Sequence, residues 1–282
     1  MRSSIPTTAL AAACALVAAV VALDSPSAAQ RHGARDAGLR VERIRLPRPP
    51  TVSAGDRILT LVRVDPRRYA FRFLSEGHEG PRRPLTQWVR DFGLTGGINA
   101  GMFLPDGRSV GFLMHEGIVR SHRHPSRFEA FLGFGRPERP EEIAVGGPSC
   151  GRGLGWFRER YRSVLQARRL LLSCEGEARP WPNRRRYSVA AFGVDEHGWA
   201  VLVHSRTPYR MSVFSEMLAS LHLGLRGLAY MEGGPEASLV VETETERVHE
   251  VGSWEDGFNR NDDNRAFWDL PNIVGFAPRG HR

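Results

Sequence analysis

The chain of 282 residues contains no lysine, so all 39 of its Lys and Arg cations are arginine; against 31 acids they leave a formal net charge of +8. The cations are scattered apart from Arg184-Arg185-Arg186, and acids crowd positions 232 to 263. A solvated basic surface is therefore the reading, and nucleic acid is not an expected partner. A non-specific binder of acidic polymers stays open as a further class, one whose affinity would fall steeply with salt. Also missing are the GxSxG, HExxH, P-loop and GxGxxG patterns, which removes the common signatures of hydrolytic-serine, zinc-protease and nucleotide chemistry. His115, His122, His124 and His204 show no metal-ligand spacing, and Asp262-Asp263 lacks the alternating acids of a calcium loop. Neither a metal nor a cofactor is expected.

Long apolar runs are absent beyond the first residues. Positions 9 to 23 are apolar, about fifteen residues against the ~20 that a spanning helix needs. With Arg2 before the run and Ser27-Ala28-Ala29 after it, residues 1–29 read as a secretion signal, which implies a periplasmic or secreted protein with no integral membrane segment after cleavage. Cysteine is scarce, and beyond the signal only Cys150 and Cys174 remain. In an oxidising compartment they are either one disulfide or two buried thiols. Residues 30–54, charged and punctuated by proline, read as a tether, 55–277 as a single domain and 278–282 as a tail.

Within that domain, residues 57–65 and 69–76 alternate apolar and polar residues as half-buried strands do. Residues 85–92 read as a short helix closed by Gly93, and 155–171 as a helical segment between the cysteines. Residues 187–195 and 199–206 flank Glu196-His197-Gly198 as a hairpin. Residues 212–223 carry the three-to-four spacing of an amphipathic helix ended by Gly224. Strands and helices interleave, so the expected fold class is α+β, a mixed and largely antiparallel sheet with packed helices.

Two elements carry candidate chemistry. In the run from Leu228 to Leu239 an apolar strand delivers Glu232 to its end, followed by Gly233, Gly234, Pro235 and Glu236; glycines let backbone turn closely around a ligand, although a plain tight turn with a solvated acid uses the same residues. The second is Gly96 to Phe103, where Asn99 stands among small residues with Gly101 close behind. Its amide offers both a donor and an acceptor, or simply makes a turn. The segment 252–275 mixes aromatics with Asp263 and Asn264, a combination that grips sugars or builds a structured loop.

In their order along the chain, Ile98 to Phe103, the strand pair opening at Tyr187, the helix ending in Leu223-Gly224 and the acidic Gly-Gly motif resemble the phosphodiester glycosidase family over roughly residues 55 to 277. Members commonly have Leu-Asp-Gly-Gly followed by a small hydroxyl residue where this chain has Met231-Glu232-Gly233-Gly234-Pro235-Glu236. Many carry an arginine where Val189 stands here, so Arg186 or Arg206 is the substitute. The resemblance implies an exported hydrolase acting on a sugar joined through its anomeric carbon to phosphate. Glu232 and Glu236 would be the catalytic carboxyls and Arg206 the cation for the phosphate. Asn99, Gly101, Gly233, Gly234, Asp263 and Asn264 would contact the carbohydrate. The alternative is a non-catalytic glycan-binding protein of the cell envelope that kept the fold.

Overall fold

The computed structural model describes Met1, residues 35–36 and residues 38–280; the expected secretion signal beyond Met1 and the start of the expected tether lie outside the described residues. Among the described residues, three larger sheets, a two-stranded ribbon of Arg83–Pro84 with Asp269–Leu270, three short α-helices and two 3-10 turns make the regular structure, and every pairing between named strands is antiparallel. The first sheet runs, edge to edge, through Arg35–Asp36, Leu39–Arg45, Ile58–Val64, Ala200–Arg210, Arg186–Asp195 and Leu225–Gly233. The second runs through Ala144–Gly146, Ala130–Phe134, Ser163–Ala167, Leu113–His115 and Ile118–Ser121. The third runs through Arg247–Val251, Ser238–Glu242, Gly96–Asn99, Asn272–Pro278 and Tyr69–Ser75.

Side chains alternate across a strand, so each sheet has two faces to cover. The inward faces of all three contribute to one apolar cluster: Val62 and Leu202 from the first, Leu132 and Leu165 from the second, Ile98, Leu239 and Val274 from the third. On each outer face lies a helix. Helix α1 (Leu85–Asp91) sets Leu85, Trp88 and Val89 against Val240 and Ile273 of the third sheet. Helix α2 (Leu154–Arg160) sets Phe157 against Phe131 and Val164 of the second. Helix α3 (Met211–Ser220) sets Phe214, Met217 and Leu218 against Leu59, Leu61, Val201 and Val203 of the first. The alternation is plain in Ala200–Arg210, where Leu202 faces the shared cluster and its neighbours Val201 and Val203 face α3. Cys150 and Cys174 form a disulfide.

Three expectations are corrected. The sheets are not mixed, since no named strand pairs in parallel. Leu39–Arg45, inside the expected tether, is a strand bonded along its whole length to Ile58–Val64, with Leu39, Val41 and Ile44 buried. The segment 155–171 is not one helix: α2 stops at Arg160, and Ser163–Ala167 is a wholly buried strand paired on both edges. Ser163 and Gln166 are buried with Val164 and Leu165 between them, so this strand shows no period-2 alternation that would set it apart from the helix before it. The glycine turn after Glu232 links two sheets. It carries the chain from Leu225–Gly233 in the first sheet to Ser238–Glu242 in the third.

Candidate active site

That crossing between sheets is where the acids gather. Along Leu225–Gly233, Tyr230 and Glu232 stand two residues apart, and the charge of Glu232 is felt at the Tyr230 phenol. The ladder with Arg186–Asp195 shifts register there: Ala190 opposes Glu232 whereas Ala191 opposes Tyr230, leaving Met231 as the extra residue of a bulge, a device that re-aims side chains beside functional sites. A single turn of 3-10 helix, Gly234–Glu236, then brings Glu236 round. Gly234 has φ +71°, and a Cβ placed on it would meet Glu255 Oε2 at 3.0 Å and Glu236 Oε2 at 3.3 Å. Two carboxyls thus flank one glycine, and only glycine combines that backbone conformation with so little room.

The electrostatics follow from burial without counter-ions. Burial pushes the Glu232 carboxyl well above the usual carboxylate range and the charge of Glu236 adds to this, against one hydrogen bond donated by Gly233 N–H to Glu232 Oε1 at 3.1 Å. Burial likewise raises Glu236, to about 7, with a smaller contribution from Glu255. Glu255 is raised by burial too, opposed by Arg185 and Arg168. None of the three makes an ion pair among the described residues. Tyr230 is buried beside them, and burial followed by the Glu232 charge holds its phenol in the protonated form. The cation felt by Glu232, Glu255 and Tyr230 alike is Arg168. Its guanidinium lies 5.3 Å over the Trp181 ring, and Trp181 in turn packs on Tyr230 at 5.2 Å. The three carboxyls do not converge on a single cation: among the described residues the one group whose ligand atoms come within 4.8 Å of each other is elsewhere.

Asn99 is brought to this crossing but as a support. It is buried at the end of Gly96–Asn99, and its Oδ1 accepts a hydrogen bond from the N–H of Ser238, two residues past Glu236, at 3.0 Å. Its Nδ2 is buried with no protein partner. His204, lowered to about 4 by burial and therefore neutral, donates from Nε2 to Ala237 O at 3.2 Å and steadies the same turn. Gly101 serves packing: with φ +76°, a Cβ there would press on Leu165 Cδ1 at 2.9 Å.

Arg206, expected to hold a phosphate, is spent elsewhere. Its Nη1 donates to Val251 O at 2.9 Å, its Nη2 to Asp262 O at 2.8 Å and Asn264 O at 2.9 Å, and it pairs with Asp262 Oδ1 at 2.7 Å. This guanidinium staples the 252–264 loop to the first sheet. Arg186, the other substitute, is held bidentate by Asp256, whose own carboxyl is brought down to about 2: burial alone would raise it, but hydrogen bonds from Arg186 and Trp254 overcome that. Asn264 is a loop brace, donating from Nδ2 to Gly252 O at 2.7 Å, and Asp263 is exposed on the loop. Sequence reasoning missed Glu255, Tyr230 and Arg168. Tyr230 was legible as a near neighbour of Glu232 on the same strand. Arg168 was hidden by reading its segment as helix, and Glu255 by treating 252–275 as one undivided loop.

The sequence profile of the phosphodiester glycosidase family matches residues 92–277. No curated protein matches the chain at the level of sequence. Among solved structures, the chain is similar to a hypothetical protein from Synechocystis, with a TM-score of 0.57 at 14% identity, covering 86% of this chain and 62% of that one, so it spans less than two thirds of that protein's length. It is similar also to the catalytic domain of zebrafish N-acetylglucosamine-1-phosphodiester alpha-N-acetylglucosaminidase, with a TM-score of 0.56 at 13% identity, covering 86% of this chain and 82% of that one. At such identities the likeness speaks for the fold, and it is the profile match, spanning about two thirds of the length, that decides the assignment: the chain belongs to the phosphodiester glycosidase family.

Proposed function

We propose that this protein is an exported hydrolase that releases a sugar from a glycosyl phosphodiester, with Glu232, Glu236 and Glu255 as the carboxyls around the anomeric carbon and Arg168 as the cation for the phosphate. The observation that supports it best is a group of acids kept without ion pairs around Gly234, beside an arginine that makes no ion pair of its own among the described residues. Groups whose surroundings push their pKa values apart divide acid from base work. Glu232, whose carboxyl burial raises well above the usual carboxylate range, gives its proton to the departing phosphate oxygen. Glu236, close to 7, takes the proton from the attacking water as that water's oxygen bonds to the anomeric carbon. The bond from that carbon to oxygen breaks with its electron pair going to the phosphate, which leaves as an anion against the guanidinium. Asn99 Nδ2, a buried donor without a protein partner, fits a contact to a sugar oxygen. Export is supported by the disulfide and by the apolar leader of residues 1–29.

The test starts from the purified chain and an N-acetylglucosamine-1-phosphodiester, the bond named for the zebrafish domain. Glu232→Gln is expected to lower sugar release by about a thousandfold, within the usual span for a lost acid–base group. Undiminished release by that variant ends the assignment.

A further inference from the structure

Away from the glutamates, the loop after Tyr69–Ser75 lays His78 and Glu79 against the strand Leu113–His115. Glu79 Oε1 lies 3.0 Å from His115 Nε2 and 3.7 Å from His78 Nε2, and the two imidazole rings meet edge to face at 4.6 Å. One ligand atom from each of the three residues falls within 4.8 Å of the other two. We propose that His78, Glu79 and His115 form a binding site for a divalent transition-metal cation of the zinc type.

The metrics fit such an ion. Zinc holds imidazole nitrogen and carboxylate oxygen at about 2.1 Å, which puts neighbouring ligand atoms of a tetrahedron about 3.4 Å apart. The two separations measured to Glu79 Oε1 straddle that value. Two imidazoles and a carboxylate suit zinc and its neighbours in the transition series better than calcium or magnesium, which favour all-oxygen sets. The outer contacts also fit. Ser75 N–H donates to Glu79 Oε2 at 2.7 Å, which turns Oε1 toward the histidines as the second oxygen of a ligating carboxylate is usually turned. His115 is 3% exposed and packs on Phe73 at 5.4 Å, so its ring is fixed; its Nδ1 is buried without a partner, a cost that a residue serving packing alone would not carry. His78 is exposed and leaves the remaining coordination position to water.

One neighbour opposes the ion. Arg120 Nη2 lies 3.1 Å from His78 Nδ1. A guanidinium only donates, so in this arrangement Nδ1 accepts and the ring proton sits on Nε2. Metal bonding at Nε2 moves that proton to Nδ1, and Arg120, which is exposed, must swing away. Arg120 is therefore a competitor of the ion, and its removal has the opposite effect to removal of a ligand. Bound metal would clamp the loop carrying His78 and Glu79 onto Leu113–His115, at the margin of a cavity of about 480 Å³ whose lining includes Ser75, Arg120 and Asn272.

The experiment is a calorimetric titration of zinc into the metal-stripped full chain, repeated with cobalt so that its visible spectrum reports coordination. One equivalent is expected to bind, with the strong visible bands of low-coordinate cobalt. His78→Ala and Glu79→Gln should each weaken binding at least tenfold while leaving the circular dichroism unchanged, since both lie on a surface loop. Arg120→Gln should tighten it. Absence of a bound equivalent, or equal affinity in the parent chain and His78→Ala, overturns the proposal. Because the readout is binding and not sugar release, either result is independent of the role given to Glu232.

Discussion

Glu255 and Asp256 are adjacent in the chain and are treated in opposite ways. Asp256 is gripped by both arms of Arg186 and by Trp254 Nε1, and its carboxyl is held near 2. Glu255 instead meets Glu236 beside Gly234, has no ion pair among the described residues, and is raised. The contrast extends to the arginines. Arg186 and Arg206 are consumed by loop carboxylates and carbonyls, whereas Arg168 lies over an aromatic ring within electrostatic reach of the unpaired acids. A buried acid with its counter-ion in place is a fastener; one buried without it holds its proton unusually tightly and is available for proton transfer. In this molecule the difference separates the stapled 252–264 loop from the unpaired acids beside it.

The sharpest way to break that division is to exchange the two arginine roles. Arg168→Gln should lower sugar release by about a hundredfold, as removal of one fixed electrostatic contact to a developing anion does, with little change in melting temperature. Arg206→Gln should do the reverse, leaving its three backbone carbonyls and Asp262 without their donor at about 2 kcal/mol of stability. If Arg206→Gln loses turnover while keeping its stability, the assignment of the phosphate cation is wrong.

The acids themselves predict opposite pH signatures. Asp256 is held below its ordinary 3.8, so its contribution is present above that value and is lost as pH falls toward 2. Asp256→Asn should therefore cost about 2 kcal/mol at pH 7 and progressively less in acid, followed by denaturant unfolding across pH. Glu236 is held above its ordinary 4.5, at about 7, so its stabilising contribution is complete below 4.5 and is lost as pH rises through 7. Glu236→Gln should accordingly make the protein more stable at pH 8, by about 2 kcal/mol or somewhat less, with the gain gone near pH 4.5. A gain that persists in acid would mean that packing, not the unpaired charge, distinguishes this position.

Much of the framework was legible because local patterns agreed with the final packing. Residues 85–92 and 212–223 have the spacing of helices that cover a sheet on one side, and α1 and α3 form there. The hairpin around Glu196-His197-Gly198 is local, so its register needs nothing from the rest of the chain. Of the candidate site, Glu232, Glu236 and the glycine pair were visible as an acidic strand end. Which arginine accompanies them was not, because every arginine has the same local signal and only the counter-ions tell them apart.

By itself, the sequence determined the alternation that makes strands amphipathic, the helices that cap their outer faces, the scarcity of cysteine that leaves room for at most one disulfide beyond residue 29, and the order of motifs that marks the family. Tertiary structure alone decided that Leu225–Gly233 and Ser238–Glu242 belong to different sheets, that Glu255 arrives at the crossing between them while Asp256 does not, and that His78 meets His115. The physical reason is that a side chain's charge state and partners depend on which distant groups share its buried space, and no spacing along one strand or loop carries that information.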